Sequence, residues 1–444
     1  MNLQALIDRY LNDHRIFQIA DGLSLPDPQK LYLRNLQGSS SSFVFSAVYT
    51  HEKSAKQNHV IVMDNAEEAA YFHNTLESIL NPIDLFYFPS SFKNRKNFQL
   101  LNSSHVMLRT ETLTRWSAPG NKKILVTYPE ALMEKVVLPK TLSANIISIK
   151  TNDTLDTDKI MEQFVNYGFE RTDFVYEPGK FAMRGGILDI YSYGNEKPYR
   201  IELFGNEVDS IRIFDPETQL SERKLLQVSI IPNVDTKFES SEKITLPEFL
   251  PENTVIWVKD WELIRETWLT QREDLELFFE RTSGQHTESS EEDELKASFS
   301  ENDFASESDL ESQLLIRNVI EFGYSSSLPG LVHELEFHTR QQPAFNRQFD
   351  LLIKDLKNWE QKKFVSFIFS ENPRQLERLH SIFTDLNAEI QFTPVPVAIH
   401  EGFIDEDLHL VCYTDHQVFQ RYHKYKVKQA YNRSKALTLR ALKE

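Results

Sequence analysis

The forty residues from Tyr176 to Asp215, YEPGKFAMRGGILDIYSYGNEKPYRIELFGNEVDSIRIFD, constrain this chain more than any other part of it. They read as two consecutive β-hairpins. Gly179 with Lys180 suits one turn and Gly205-Asn206 suits another, since both place glycine where a tight reversal needs positive φ. Side chains alternate along the strands: Ile187, Asp189 and Tyr191 point one way, Leu188 and Ile190 the other. Tyr199, Ile201 and Leu203 repeat the pattern after Pro198. A period of two with paired turns specifies a small antiparallel sheet with one buried face.

That sheet accounts for a fraction of the chain. At 444 residues several domains are expected, because single cores seldom grow past ~250–300 residues. The formal charge of −17 argues against a surface that grips nucleic acid throughout, although a local basic patch remains open. The single cysteine, Cys412, excludes an internal disulfide and a cysteine-rich zinc site. No apolar run reaches the ~20 residues of a membrane helix, and the start is unlike a signal peptide. A cytoplasmic, acidic, multidomain protein with no membrane contact is expected.

Residues 1–139 alternate β and α elements, the pattern of a parallel sheet covered by helices. Asn58 to Met63 is a short apolar strand, Asn65 an N-cap, and Glu67-Glu68 favour the helix that follows. Further strands are expected at Leu85–Phe88 and Lys123–Tyr128. Residues 140–233 hold the hairpins, with a helix over Thr157–Tyr167 and a strand over Arg171–Tyr176. Residues 234–330 read as an accessory part of the first domain, with a strand at Thr254–Val258 and a long helix from Trp261 to Arg281. Within them, segment 283–312 is strongly acidic. Ten carboxylates and one lysine lie between Glu288 and Glu311, as expected of a solvated, self-repelling stretch or a partner-binding acidic segment. A third α/β unit spans 331–444, with strands at Phe364–Phe369 and Leu408–Tyr413 and a basic, helical tail from Phe419 to Leu442.

Asn35-Leu36-Gln37-Gly38-Ser39-Ser40-Ser41-Ser42 precedes an apolar helix at the position of a phosphate loop. A working loop, G-x-x-x-x-G-K-[ST], closes backbone N–H groups around phosphate, neutralises it with lysine and holds Mg²⁺ through a hydroxyl. Here Asn35 replaces the first glycine, Ser40 the second and Ser41 the lysine; only Ser42 conforms. Gly38 and the helix start still suit a small anion. No acidic box follows; Thr127-Tyr128-Pro129-Glu130-Ala131 lies near its expected position and lacks the aspartate. The histidines show no zinc spacing, His333 and His338 read as incidental, Cys412 reads as a buried small hydrophobe, and Asp405 with Asp407 suits a loop as well as a dyad. No catalytic residue, metal or cofactor is assigned.

The hairpin stretch closely resembles a small β domain shared by the UvrB helicase of nucleotide excision repair and the amino-terminal module of transcription-repair coupling factors. The degenerate serine loop is similar to that of the coupling-factor module and unlike UvrB's intact loop. The resemblance implies a multidomain α/β fold. Its parts are a degenerate helicase-like (P-loop-type) domain, an inserted small antiparallel β-rich domain, and a second α/β domain at the C-terminus. It implies UvrA as partner, with Arg171 and Arg184 as contacts. Guanidinium suits that role, because its planar fork pairs carboxylates bidentately. Gly185-Gly186 would let a partner backbone approach, and Leu188, read as sharing Arg184's face, would add an apolar contact. Both arginines could instead pair with local acids such as Glu170, Asp173 or Glu177. In the full-length family other domains mask this surface, and RNA polymerase and DNA bind through domains that follow it. The expectation is a non-catalytic UvrA-recruiting adaptor, cut from a longer protein. The competing classes are an ATP-dependent UvrB-like helicase and a structural brace.

Overall fold

The computed structural model describes residues 2–82, 84–94, 97–120, 122–233, 238–282, 299–331 and 333–427. Its largest sheet has seven strands, in the order His333–Glu336, Lys30–Arg34, Val319–Gly323, Thr254–Lys259, Asn58–Val62, Ile124–Thr127, Leu85–Tyr87. All six pairings are parallel. Except for the exposed edge strand His333–Glu336, these strands are mostly buried and read as largely apolar runs such as Val-Ile-Trp-Val at 255–258. Helix Ala66–Leu80 starts where Asn65 accepts a hydrogen bond from the Glu68 N–H (2.9 Å), and ends where Asn81 turns left-handed ahead of Pro82.

The strands of segment 234–330 do not sit beside this sheet. Thr254–Lys259 and Val319–Gly323 lie in its middle, so strand Lys30–Arg34 has both its neighbours beyond residue 318. The strand His333–Glu336, read as the start of the third unit, forms the sheet's edge. The described end of the acidic stretch, 299–312, is also less solvated than expected. Residues 283–298 lie outside the described residues, but Glu301–Asp303 forms a 3-10 turn and Glu307–Leu315 a helix. Asp303 is buried against Lys243 Nζ (2.9 Å), and Glu307 and Glu311 both face Arg265.

The hairpins build a six-stranded sheet ordered Ser221–Leu225, Glu207–Phe214, Tyr199–Phe204, Ile187–Ile190, Lys180–Arg184, Glu170–Arg171. Helix Thr157–Asn166 covers one face, packing Phe164 against Phe169 and Phe181. Gly205-Asn206 makes the second turn as expected, but the first turn is Gly185-Gly186, with Gly185 at φ +59°. Gly179 instead precedes its strand and lies under the Tyr193 ring, where a Cβ would meet the hydroxyl at 2.1 Å. The expected strand from Arg171 to Tyr176 stops at Arg171.

The third unit is a five-stranded mixed sheet with helices Phe349–Gln361 and Pro373–Asp385. The tail expected to be helical from Phe419 is irregular over 421–427, and the rest of it lies outside the described residues. Segment 421–427 runs back along helix Ala66–Leu80. There the Asn74 amide pairs both the N–H and the carbonyl of Lys426 (2.8 Å each). Among the described residues no helix is long and apolar enough to cross a membrane.

Candidate functional site

Two places carry chemistry: the outer face of the six-stranded sheet and the serine loop of the first sheet. On the outer face, Arg184 lies opposite Ile187, and Ala182 opposite Asp189. Asp189 is fully buried and takes two arginines. Arg184 donates to its Oδ2 (2.5 Å), and Arg200 donates to both oxygens (2.8 Å each). Arg184 also donates to the Asp173 carbonyl (2.8 Å) and stacks on Phe174, with 4.4 Å from its guanidinium carbon to the ring centroid. About a third of the Arg184 side chain (33%) stays exposed. The local acid it pairs with is therefore Asp189, outside the set Glu170, Asp173 and Glu177 considered above. A fixed guanidinium loses less rotamer entropy on binding, but its charge is partly spent inside the sheet.

Arg171 differs. It is exposed and makes no hydrogen bond or ion pair among the described residues. Strand register sets it beside Phe181, whose ring belongs to the buried face, so Arg171 and Arg184 occupy opposite faces of one sheet. Leu188 requires a correction. It is fully buried, pairs with Met183 across the hairpin, and cannot touch a partner. Alternation does not carry through a two-residue turn. Arg184 faces Ile187, so the next residue points to the other side. The turn glycines serve the sheet itself. A Cβ at Gly186 would lie 2.7 Å from the Leu203 carbonyl oxygen, whereas one at Gly185 would meet open space.

The serine loop leaves the C-terminal end of strand Lys30–Arg34, beside the change in strand order where parallel α/β sheets bind ligands. Gly38 has φ +53°, and helix Ser40–Thr50 follows. The loop's polar groups are already engaged by the third unit. The Ser39 N–H donates to the Glu401 carbonyl (3.1 Å), and the Glu401 N–H donates to Ser39 Oγ (3.0 Å). Ser40 Oγ donates to the Gln37 carbonyl (2.7 Å). The space a Cβ would need at Gly38 is taken by the Gly402 carbonyl, 2.7 Å away.

Beside the loop lies a cavity of about 410 Å³ lined by Ser41, Ser42, Asp64, Glu68, Lys259, Asp260, His400 and Glu401, among others. Lys259 Nζ sits 3.6 Å from Asp64 and 3.4 Å from Glu68. Burial works against the Lys259 charge, but these carboxylates outweigh it and its pKa is raised. His400, its Nε2 3.8 Å from a Glu68 oxygen, and Lys259 together hold Glu68 down to about 2 against the cost of burial. Four carboxylates and one committed ammonium make this lining hostile to a polyphosphate. Thr127–Ala131, the segment near the expected position of an acidic box, does not line this cavity. Strand Ile124–Thr127 is four places from Lys30–Arg34, whereas Thr254–Lys259, two places away, delivers Lys259 and Asp260. Sequence reading recognised that strand and missed its charged end.

Asp405 and Asp407 form no dyad. Asp405 accepts from Tyr10 Oη (2.8 Å), while Asp407 pairs with Arg15 and with His338 (2.9 Å), so both tie the amino-terminal helices to the third unit. Cys412 is buried, and burial raises its thiol pKa.

Residues 147–235 match the family model of the UvrB interaction domain. The transcription-repair-coupling factor of Staphylococcus haemolyticus is 23% identical over 508 residues, covering 98% of this chain and 41% of that protein. The Bacillus subtilis transcription-repair-coupling factor is 28% identical over 212 residues, 48% of this chain and 18% of that protein. The chain thus spans less than half the length of these relatives. Among solved structures, a DEAD box protein from Methanococcus jannaschii aligns over 96% of this chain and 88% of its own, at 8% identity and a TM-score of 0.30. That score is too low to bear on the fold.

Proposed function

We propose, for a chain that carries a UvrB interaction domain and stands with the transcription-repair coupling factors along nearly its whole length, that it is a non-catalytic adaptor recruiting UvrA. Arg184 carries the reading. It is a guanidinium fixed by a buried carboxylate, one-third exposed, on the open face of a rigid sheet. Arg171, unpaired at the sheet's edge strand, adds a second cation reachable from the side. The first domain contributes a helicase-like frame without an engine. Its serine loop lacks the lysine, its amide and hydroxyl at Ser39 are bonded to Glu401, and the adjoining cavity repels phosphate. Coupling to stalled RNA polymerase and to DNA belongs, in this reading, to other parts of a full-length protein, as does masking of the docking face.

A titration with purified UvrA tests this. Arg171→Ala/Arg184→Ala is expected to weaken binding at least ~30-fold, the effect of losing ~2 kcal/mol of desolvated charge pairing. Unchanged affinity rejects the docking role. DNA-stimulated ATP hydrolysis by the purified chain would favour a working helicase instead.

A further inference from the structure

Three registers, taken together, line up one row of side chains across the outer face: Asp189 opposite Arg200, Arg200 opposite Arg212, and Arg212 opposite Lys224. Such neighbours stand ~4.5–5.5 Å apart at Cβ, and like charges directly opposite weaken a sheet. Asp189 offsets Arg200. Glu202 sits 3.3 Å from Arg212. Arg212 Nε, closed off from solvent, has no acceptor. The Lys224 side chain is exposed and has no hydrogen bond or ion pair among the described residues. Nothing in the packing of the sheet calls for a third cation here, and the chain as a whole carries −17. By alternation along its strand, Phe204 falls on the same side as Glu202, at the hairpin tip, and 84% of it is exposed. Loops 172–178 and 215–220 cap the other half of this face, with Gln219 accepting from Arg200 and donating to the Val175 carbonyl. The half bearing Arg212, Lys224 and Phe204 is open, and Arg184, held by Asp173 and Phe174 of the capping loop, lies at its border.

We infer that Arg212, Lys224 and Phe204 extend the docking surface, taking a partner segment that presents carboxylates beside an apolar pocket. The inference rests on the docking reading above, so that segment belongs to UvrA. Charge complementarity favours protein over nucleic acid. The three cations of the row, Arg200, Arg212 and Lys224, span only three strands, ~10 Å at the usual spacing. It is bordered by Glu202 and by the exposed Glu207 and Asp209. A duplex, with a charge every ~1.7 Å of axis, would meet carboxylates after the first phosphates. One or two carboxylates and an apolar contact fit the patch as it stands.

The experiment compares the wild-type chain, Lys224→Glu, Phe204→Ser and Arg171→Ala/Arg184→Ala in titrations with purified UvrA at 0.1 M and 1 M salt. Lys224 and Phe204 face solvent, so both single variants should melt like wild type. Lys224→Glu should weaken binding about tenfold at 0.1 M, and the gap should close at 1 M, where the screening length falls to ~3 Å. Phe204→Ser should weaken binding about tenfold at both salts. If both single variants bind like wild type while the double arginine variant is weakened, the extension is wrong and the docking reading survives. If wild type fails to bind UvrA, the docking reading falls and the extension with it. If wild type binds a single-stranded oligonucleotide and Lys224→Glu abolishes that binding, the row serves nucleic acid and the protein assignment is overturned.

Discussion

Replacing Asp189 with asparagine tests how the docking face is held. The carboxylate is fully buried and accepts three guanidinium contacts, two from Arg200 and one from Arg184. Asparagine keeps the shape and removes the charge. Arg200, with 14% of its side chain exposed, is then left with an uncompensated charge. Breaking a buried pair from one side costs ~3–5 kcal/mol. Arg184 is a third exposed, so solvent screening limits its share to ~0–1 kcal/mol. The sum, about 4 kcal/mol, corresponds to roughly a thousandfold in the local opening equilibrium. A multidomain chain does not unfold in two states, so a global melt would blur the effect. Hydrogen exchange of the amides in Ile187–Ile190 and Tyr199–Phe204 reads the sheet alone. Protection there should fall by about that factor, while strand Asn58–Val62 stays unchanged. Within the Asp189→Asn background, Arg200→Leu should restore most of the protection. Equal protection in Asp189→Asn and wild type would refute the reasoning.

Two further outcomes follow from the first domain. Gly38→Ala forces a Cβ into the Gly402 carbonyl at positive φ, and should destabilise the junction with the third unit by ~1–3 kcal/mol. Limited proteolysis after the loop at 400–402 would detect it, and an unaltered digestion pattern would count against the contact. His59 is buried, and its Nδ1 accepts from Trp257 Nε1 (3.1 Å), so the ring is neutral. Burial, then Lys122, pushes its pKa down to about 3. The unfolded chain binds the proton first, so this stability is complete above pH ~6.5 and is lost as pH falls towards 3, at up to ~1.4 kcal/mol per unit. Urea unfolding between pH 7 and 5 should lose part of its slope in His59→Phe, with His105 (lowered to about 4), His416 (lowered to about 3) and His423 (also lowered), all mainly by burial, supplying the remainder from the histidines. An identical slope in the variant would show that His59 is not the group responsible.

Some local signals in the sequence were sound, although the turn read at Gly179-Lys180 was not one of them. Asn65 caps its helix and Gly205-Asn206 turns its hairpin. These depend on a few consecutive residues. What failed depends on register or on distance along the chain. Leu188 was placed by alternation counted through a turn that resets it. The row from Asp189 to Lys224 needs three strand pairings, two of which carry irregularities at Glu202/Leu203 and Ile213/Phe214. The cavity beside the serine loop gathers Asp64, Lys259 and Glu401 from segments more than a hundred residues apart, and no local pattern announces that meeting. Over its described end, 299–312, the acidic stretch is less solvated than charge density suggested, because composition alone cannot show that Arg265 and Lys243 await Asp303, Glu307 and Glu311.

The placement of strands Thr254–Lys259 and Val319–Gly323 in the centre of the first sheet has a temporal consequence. A ribosome delivering ~5–20 residues per second needs roughly 15 to 60 s between the end of strand Lys30–Arg34 and that of His333–Glu336. During that interval Leu31 and Leu33 lack the strands that will flank them, while the hairpins, built from neighbours in sequence, are free to close. Newly made chains should therefore pass through a stage in which the β insert is finished and the larger domain still exposes raw strand edges, the stage at which a chaperone would find most to hold.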